Sequence, residues 1–293
     1  MSGADVLVPA ITDSRTGMVR RLVRPLHDRA LRGIAIGAAV IVAMLVAAFF
    51  APLPFSPTAP DPLAVLVGPS GTHWLGTDLS GFDVFSRTIA SARRDLPLAL
   101  VGTGLSLLIG VPLGLLASSK SAYSGWIMRG LDVFQAFPLV IIAIAVVTLT
   151  GNHLSNVVLA IAIINVPRFM RLVRSETLTL RESRFVEAAI ASGCSPARVM
   201  FRHLLPNVRA VILAQCSLTA ASAIIVIAAL NFLGVGVSPP TPSWGSMIQD
   251  GAENVTTGQW WTFVAPGTAI LLTVVSLNLI ADGLQAHAED DAR

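Results

Sequence analysis

The sequence predicts an all-α membrane protein with six transmembrane helices. Three observations carry that expectation. Hydrophobic residues make up 54% of the 293 residues and charged residues only 13%, about half the charged share of an ordinary soluble domain. Mean hydropathy is +0.72, and six apolar runs approach the roughly 20 residues that a bilayer crossing needs. The cations are also sorted. Six Lys and Arg precede the first run, two are Lys120 and Arg129, eight lie from Arg168 to Arg209, and one is Arg293. These make 17 of the 20 on one side, leaving Arg87, Arg93 and Arg94 on the other. The positive-inside rule then puts both termini in the cytoplasm. The same rule accounts for the pI near 9.5 without nucleic acid.

Residues 1–32 read as a cytoplasmic N-terminal tail, flexible up to Arg15, and residues 33–285 as the six-helix domain. The first span, 33–51, starts too late for a signal peptide and lacks a small-residue cleavage site, so it stays in the chain. Residues 52–95 form an extracytoplasmic loop in which Asp78, Asp83 and Asp95 stand near the three arginines. The second span, 96–117, contains Pro97 and Pro112, which neighbouring helices can accommodate. Gly102, Gly104, Gly110 and Gly114 inside it indicate close helix packing rather than nucleotide binding.

The third span covers 133–150, with Pro138 kinking its start, and the fourth covers 154–167 and runs on as a helix past Arg168. Residues 168–209 form the main cytoplasmic loop, where Arg168, Arg171 and Arg174 share one helical face. The fifth span is 210–233. A Pro- and Gly-rich extracytoplasmic loop, 234–262, leads to the last span, 263–281, and residues 286–293 form a cytoplasmic tail. The polar groups inside the spans are uncharged: Gln135, Asn165, Gln215, Ser217, Thr219, Asn231 and Asn278. Ion-coupled secondary transporters need intramembrane charge, so this pattern argues against that class.

The cytoplasmic loop is the most specific stretch. Arg181 to Ser192 favours helix, with Ala188 and Ala189 small enough for another surface to approach. Gly193 supplies a left-handed stop. Ser195 and Pro196 restart a helix as N-cap and first residue, and Pro206 ends it before the fifth span. Two short helices with a bend make a knob. Its residues Glu187-Ala188-Ala189, three positions, Gly193, eleven positions and Leu205-Pro206 resemble the EAA loop of ABC importer permeases. His203 stands where that pattern has an aliphatic residue.

Two further stretches resemble the same family. His73-Trp74-Leu75-Gly76-Thr77-Asp78, Gly81, Asp83-Val84 and Ser86-Arg87 resemble the segment before the second span in C-type permeases of dipeptide, oligopeptide and nickel importers, with Phe82 in place of that family's Arg. Read physically, Thr77-Asp78 between glycines suits a turn that caps a short helix. Pro239-Pro240 and Pro242-Ser243-Trp244-Gly245 resemble the family's loop before the last span. Trp260 and Trp261 suit the membrane interface. Trp244 is open to either a contact with an extracytoplasmic protein or a gate.

The resemblance implies a type I ABC importer permease in the bacterial plasma (inner) membrane. It implies a homologous permease partner, two cytoplasmic ATPase subunits and an extracytoplasmic solute-binding protein. Glu187, Ala188, Ala189, Gly193, His203, Leu205 and Pro206 would couple to the ATPase. Leu75, Gly76, Thr77, Asp78, Ser243, Trp244 and Gly245 would form the extracytoplasmic motif. No catalytic residue, metal or cofactor is expected in this chain, with ATP and Mg on the partner subunits. The chain carries no G-x-x-x-x-G-K-[ST] loop, and Cys194 and Cys216 have neither metal-ligand nor disulfide spacing. Peptide is the implied cargo, with nickel or another small solute as the alternative. A membrane assembly or anchoring protein is the reading left if the EAA spacing is coincidental.

Overall fold

The computed structural model describes residues 13–118 and 122–291, with side chains described at 30–118 and 124–288. Lys120, Arg293 and the first twelve residues of the N-terminal tail lie outside the described residues. The architecture is all-helical. α1 (Asp13–Phe50) is followed by a long loop, then α2 (Val84–Ala117), α3 (Ala122–Gln135), α4 (Leu139–Thr150) and α5 (Leu154–Arg181). Next come α6 (Arg184–Ala191), α7 (Pro196–Arg198), a π-helical turn (Val199–Leu204), α8 (Leu205–Phe232), α9 (Trp244–Val255) and α10 (Trp261–Asp291).

Among the described residues, five helices are long and apolar enough to cross a membrane. The predicted third span is a broken crossing, with α3 and α4 meeting at 87° across the Pro138 break. Pro138 lacks an N–H and cannot continue the α3 ladder, so a kink becomes a full break. Two other boundaries shift. The predicted N-terminal tail is helical from Asp13, and α2 begins at Val84, twelve residues before the predicted second span.

The core lies between α2, α4, α5 and α8. Leu96 and Ala99 meet Val147, Ile161, Ile164, Ile224, Ile227 and Leu230, all buried. Lipid tails are as apolar as these side chains, so close approach rather than hydrophobic exclusion holds such helices together. Three of the four predicted packing glycines allow it. A Cβ at Gly102 would sit 2.6 Å from the Ile161 side chain, at Gly110 2.8 Å from the Val166 carbonyl, and at Gly114 2.7 Å from the Met170 carbonyl. Gly104 faces open space instead.

The three outside arginines do not all pair with the three aspartates. Arg87 lies 3.9 Å from Asp78, but Arg93 donates to the Ala48 and Phe49 carbonyls. It thereby satisfies two C-terminal carbonyls that α1 leaves without an intrahelical partner, where the helix dipole favours a cation. Asp83 is the N-cap of α2, accepting from Ser86 N–H at 2.8 Å and facing His73 Nδ1 at 2.9 Å. Asp83 therefore does the capping, not Thr77-Asp78. Asp78 instead closes the preceding turn, accepting from the Ser80 and Phe82 amides at 2.9 Å each. Burial raises the Asp78 pKa against the opposing pull of those amides and Arg87.

Candidate functional site

The 168–209 segment folds as a knob with its own small core. α5 runs through Arg168 to Arg181, and Ser183 then starts a separate helix, α6. The predicted single helix from Arg181 to Ser192 is thus divided at Glu182 and Ser183. α6 ends as expected: Gly193 adopts φ +79°. The Cys194 amide reaches the Ala189 carbonyl at 3.1 Å and the Gly193 amide reaches Ile190 at 2.9 Å, the paired bonds of a Schellman stop. Ser195 then caps the next turn, accepting from Arg198 N–H, with Pro196 in the first turn.

Pro206 does not end that helix. α7, the π turn and α8 form one apolar rod, Pro196–Phe232, of 37 residues. Pro206 cannot donate to the carbonyl four residues back, and its ring crowds that carbonyl. A wider turn relieves the clash: the Leu205 amide bonds Met200, five residues back. The π turn therefore contains His203 and ends immediately before Leu205 and Pro206. Val186, Val199 and Leu204 are buried in the knob's core, against Leu180, Ala189 and Cys194.

The knob exposes large apolar side chains among charged ones, with Glu182, Arg184, Glu187, Arg198 and Arg202 also exposed. Phe185 is 43% exposed, Ile190 59% and Phe201 63%. Glu187, Ala188, Gly193 and Pro206 are exposed; Ala189, His203 and Leu205 are half-buried. A Cβ built on Gly193 meets nothing within 4 Å, so the chain itself leaves that position open. Exposed apolar surface rimmed by charge marks an interaction face.

The three arginines of α5 do not form a free basic face. Arg171 pairs with Asp132 at 2.9 Å, and Arg174 Nε donates to the Ala117 carbonyl at 3.1 Å. Arg168 turns inward and donates to Asn165 Oδ1 at 3.1 Å and Ser222 Oγ at 2.7 Å. Arg168 is half-buried, and Asp95, in α2, is buried. The expectation that the helix bundle holds only uncharged polar groups therefore fails at Arg168 and Asp95. Both stand at the ends of the apolar runs, where a hydropathy reading assigns them to loops.

On the opposite face, each of the two remaining motifs is tied to a helix far along the chain. Gly76 and Thr77 are buried and Leu75 is half-buried. Trp261 is not a simple interface anchor: its indole donates to the Thr77 carbonyl at 3.1 Å, while Trp260 is 55% exposed. Ser243 caps α9 in a reciprocal box with Ser246. A Cβ on Gly245 would lie 2.1 Å from the Ala228 carbonyl, so α9 rests directly on α8. Trp244 is 1% exposed. Its amide donates to Asp95 at 3.0 Å and its indole to the Thr88 carbonyl at 2.9 Å. This side chain belongs to the chain's interior, and both surface roles open in the sequence reading give way to an internal anchor.

A helical bundle with a separately cored, apolar-faced knob between two of its spans is the architecture of a membrane permease driven from outside the chain. Residues 110–293 match the family described as "Binding-protein-dependent transport system inner membrane component", and the chain belongs to that family. It is 41% identical over 256 residues to the dipeptide transport system permease protein DppC of Alkalihalophilus pseudofirmus, covering 85% of this chain and 83% of the relative. It is 38% identical to the di/tripeptide permease DppC of Pseudomonas aeruginosa, covering 86% of each chain. It is 40% identical to the glutathione permease GsiD of Pectobacterium atrosepticum, covering 74% and 72%. Among solved structures, the inward-facing MetNI methionine ABC transporter matches with a TM-score of 0.58 at 16% identity, covering 71% of this chain and 98% of that one. That likeness shows the type I permease fold. The chain is a multi-pass plasma membrane protein of an ABC importer, a class in which ATPase and substrate-binding partners act with the permease. ATP hydrolysis lies on the partner subunits.

Proposed function

We propose that this chain forms half of the translocation pathway of a peptide importer, beside one homologous permease, two cytoplasmic ATPase subunits and an extracytoplasmic binding protein. The carrying observation is the knob: a small self-contained core that exposes Phe185, Ile190 and Phe201 around a glycine bend, joined to a 37-residue apolar rod. Such a head has no use in the chain's own packing, whereas a partner groove would bury it. Relatives named for dipeptides, di/tripeptides and glutathione support peptide as the cargo class. The termini and the knob lie on the cytoplasmic side, following the 17-to-3 division of cations.

ATP and Mg bind the partner ATPases, and this chain holds neither. Closure of the ATPases moves the knob, and the spans tilt to alternate access. The test is reconstitution. The purified chain alone in liposomes neither hydrolyses ATP nor accumulates dialanine. With all partners added, dialanine stimulates hydrolysis and enters. Uptake by the chain alone on a proton or sodium gradient overturns the reading. A full set that responds only to a nickel chelate replaces the cargo.

A further inference from the structure

A cavity of about 510 Å³ opens at the break between α3 and α4, with Gln135, Leu139, Ile164, Arg168, Arg171 and Gln215 on its walls. Its polar lining is two cations and two amides, with no carboxylate. Asp132 already neutralises Arg171. Arg168 has no carboxylate partner among the described residues. It lies fourteen residues into α5, roughly 21 Å along the helix from Leu154 at 1.5 Å per residue.

An arginine without a counter-ion among the described residues, at the cytoplasmic end of a span and on the wall of a cavity, marks a candidate functional site. The bonding of this one shows which edge it leaves open to the cavity. Nη1 alone makes both hydrogen bonds, to Asn165 and Ser222. Those bonds fix the guanidinium plane. Nε and Nη2, with three of the five donors, have no partner among the described residues. That is the edge that grips a carboxylate through two parallel bonds. The neighbouring backbone agrees. Ala136, Phe137 and Pro138 are non-helical and exposed, and irregular backbone at membrane depth is tolerated only against protein or a water-filled cavity.

We infer that Arg168 is a specificity residue in the translocation cavity, receiving the C-terminal carboxylate of the cargo on its Nε–Nη2 edge while Asn165 and Ser222 hold the guanidinium in place. The inference rests on the peptide-importer reading and adds the recognised group. No other side chain lining the cavity offers an unpaired charge, so cargo would enter carboxylate-first toward Arg168.

The test uses the complete reconstituted transporter carrying Arg168→Gln or Arg168→Lys, with dialanine and dialanine amide as probes. A charge-assisted bond lost from such a site lowers uptake about 10- to 100-fold. Arg168→Gln is expected to show that loss for dialanine and little change for the amide, with hydrolysis stimulated by the binding protein preserved. Arg168→Lys should restore part of dialanine uptake. If the wild type takes up no amide, the split between uptake and hydrolysis in the two variants decides. Equal loss for both probes, or equal loss of uptake and hydrolysis, overturns the inference. So does loss of the homologous permease from the purified Arg168→Gln complex, which would assign Arg168 to an acidic partner at the subunit interface. Failure of the wild type to take up either probe removes the peptide reading instead.

Discussion

Substitution at Gly193 separates a backbone requirement from a spatial one. Gly193 sits at φ +79°, where an L-residue costs roughly 1–2 kcal/mol. Such a penalty lowers the population of the native turn about 5- to 30-fold. Nothing lies within 4 Å of the added Cβ, so the chain itself adds no steric term. Asn tolerates the left-handed region far better than Val, which is β-branched. Gly193→Asn should therefore keep the knob folded, and Gly193→Val should strain it. If Gly193 fits into a partner groove, both variants lose transport for different reasons. The expected result is normal membrane insertion in both, near-normal protease resistance of the knob only in Gly193→Asn, and loss of uptake and ATPase co-purification in both. Uptake at the wild-type rate in Gly193→Asn, at matched membrane levels, would refute docking at this position and leave only the turn.

Leu204 is fully buried in the knob core. Leu204→Ala should cost about 2–5 kcal/mol locally, seen as faster tryptic cleavage between residues 181 and 209 in inside-out vesicles. Phe201→Ala should leave melting of the complex unchanged but weaken ATPase retention on a column; unchanged retention removes Phe201 from the interface. In a background lacking Cys194 and Cys216, cysteines at exposed Ser80 and Thr256 should react with an impermeant thiol reagent from outside, and cysteine at exposed Ser192 only after the membrane is opened. The reverse pattern inverts the topology. Trp244→Ala should lower thermal stability by about 3–5 kcal/mol, whereas Trp244→Phe, losing mainly the indole donor, should cost about 0.5–1.5 kcal/mol; equal effects would mean that the indole bond to the Thr88 carbonyl rather than ring packing anchors α9.

Five of the six spans, the helical stop at Gly193 and the cap at Ser195 are legible because each depends on nearby residues. A 3.6-residue period, a glycine or an N-capping hydroxyl acts within a turn or two of itself. What escaped depends on partners far along the chain. Trp244 looks like a surface aromatic until Asp95 and Thr88, about 150 positions earlier, are brought beneath it. Arg168 reads as a loop cation because hydropathy cannot see Ser222 on a neighbouring helix. Pro206 reads as a break because the alternative, widening the turn by one residue, leaves no trace in composition.

The rod from Pro196 to Phe232 joins all three functional regions. Its cytoplasmic end carries Leu204 of the knob core. Its middle supplies Gln215 to the cavity and Ser222 to Arg168. Its outer end holds α9 through the contact of Gly245 with Ala228, and Asn231 Oδ1 accepts from the Val237 amide at 2.9 Å in the Pro-rich loop. At 1.5 Å per residue such a rod is about 56 Å long, and close-packed helices shift as bodies rather than deforming continuously. A displacement at the knob is therefore felt at the guanidinium and at the outer loop together. The π turn, the one irregular place in the rod, lies between knob and bilayer, where a small change in winding would rotate every side chain beyond it.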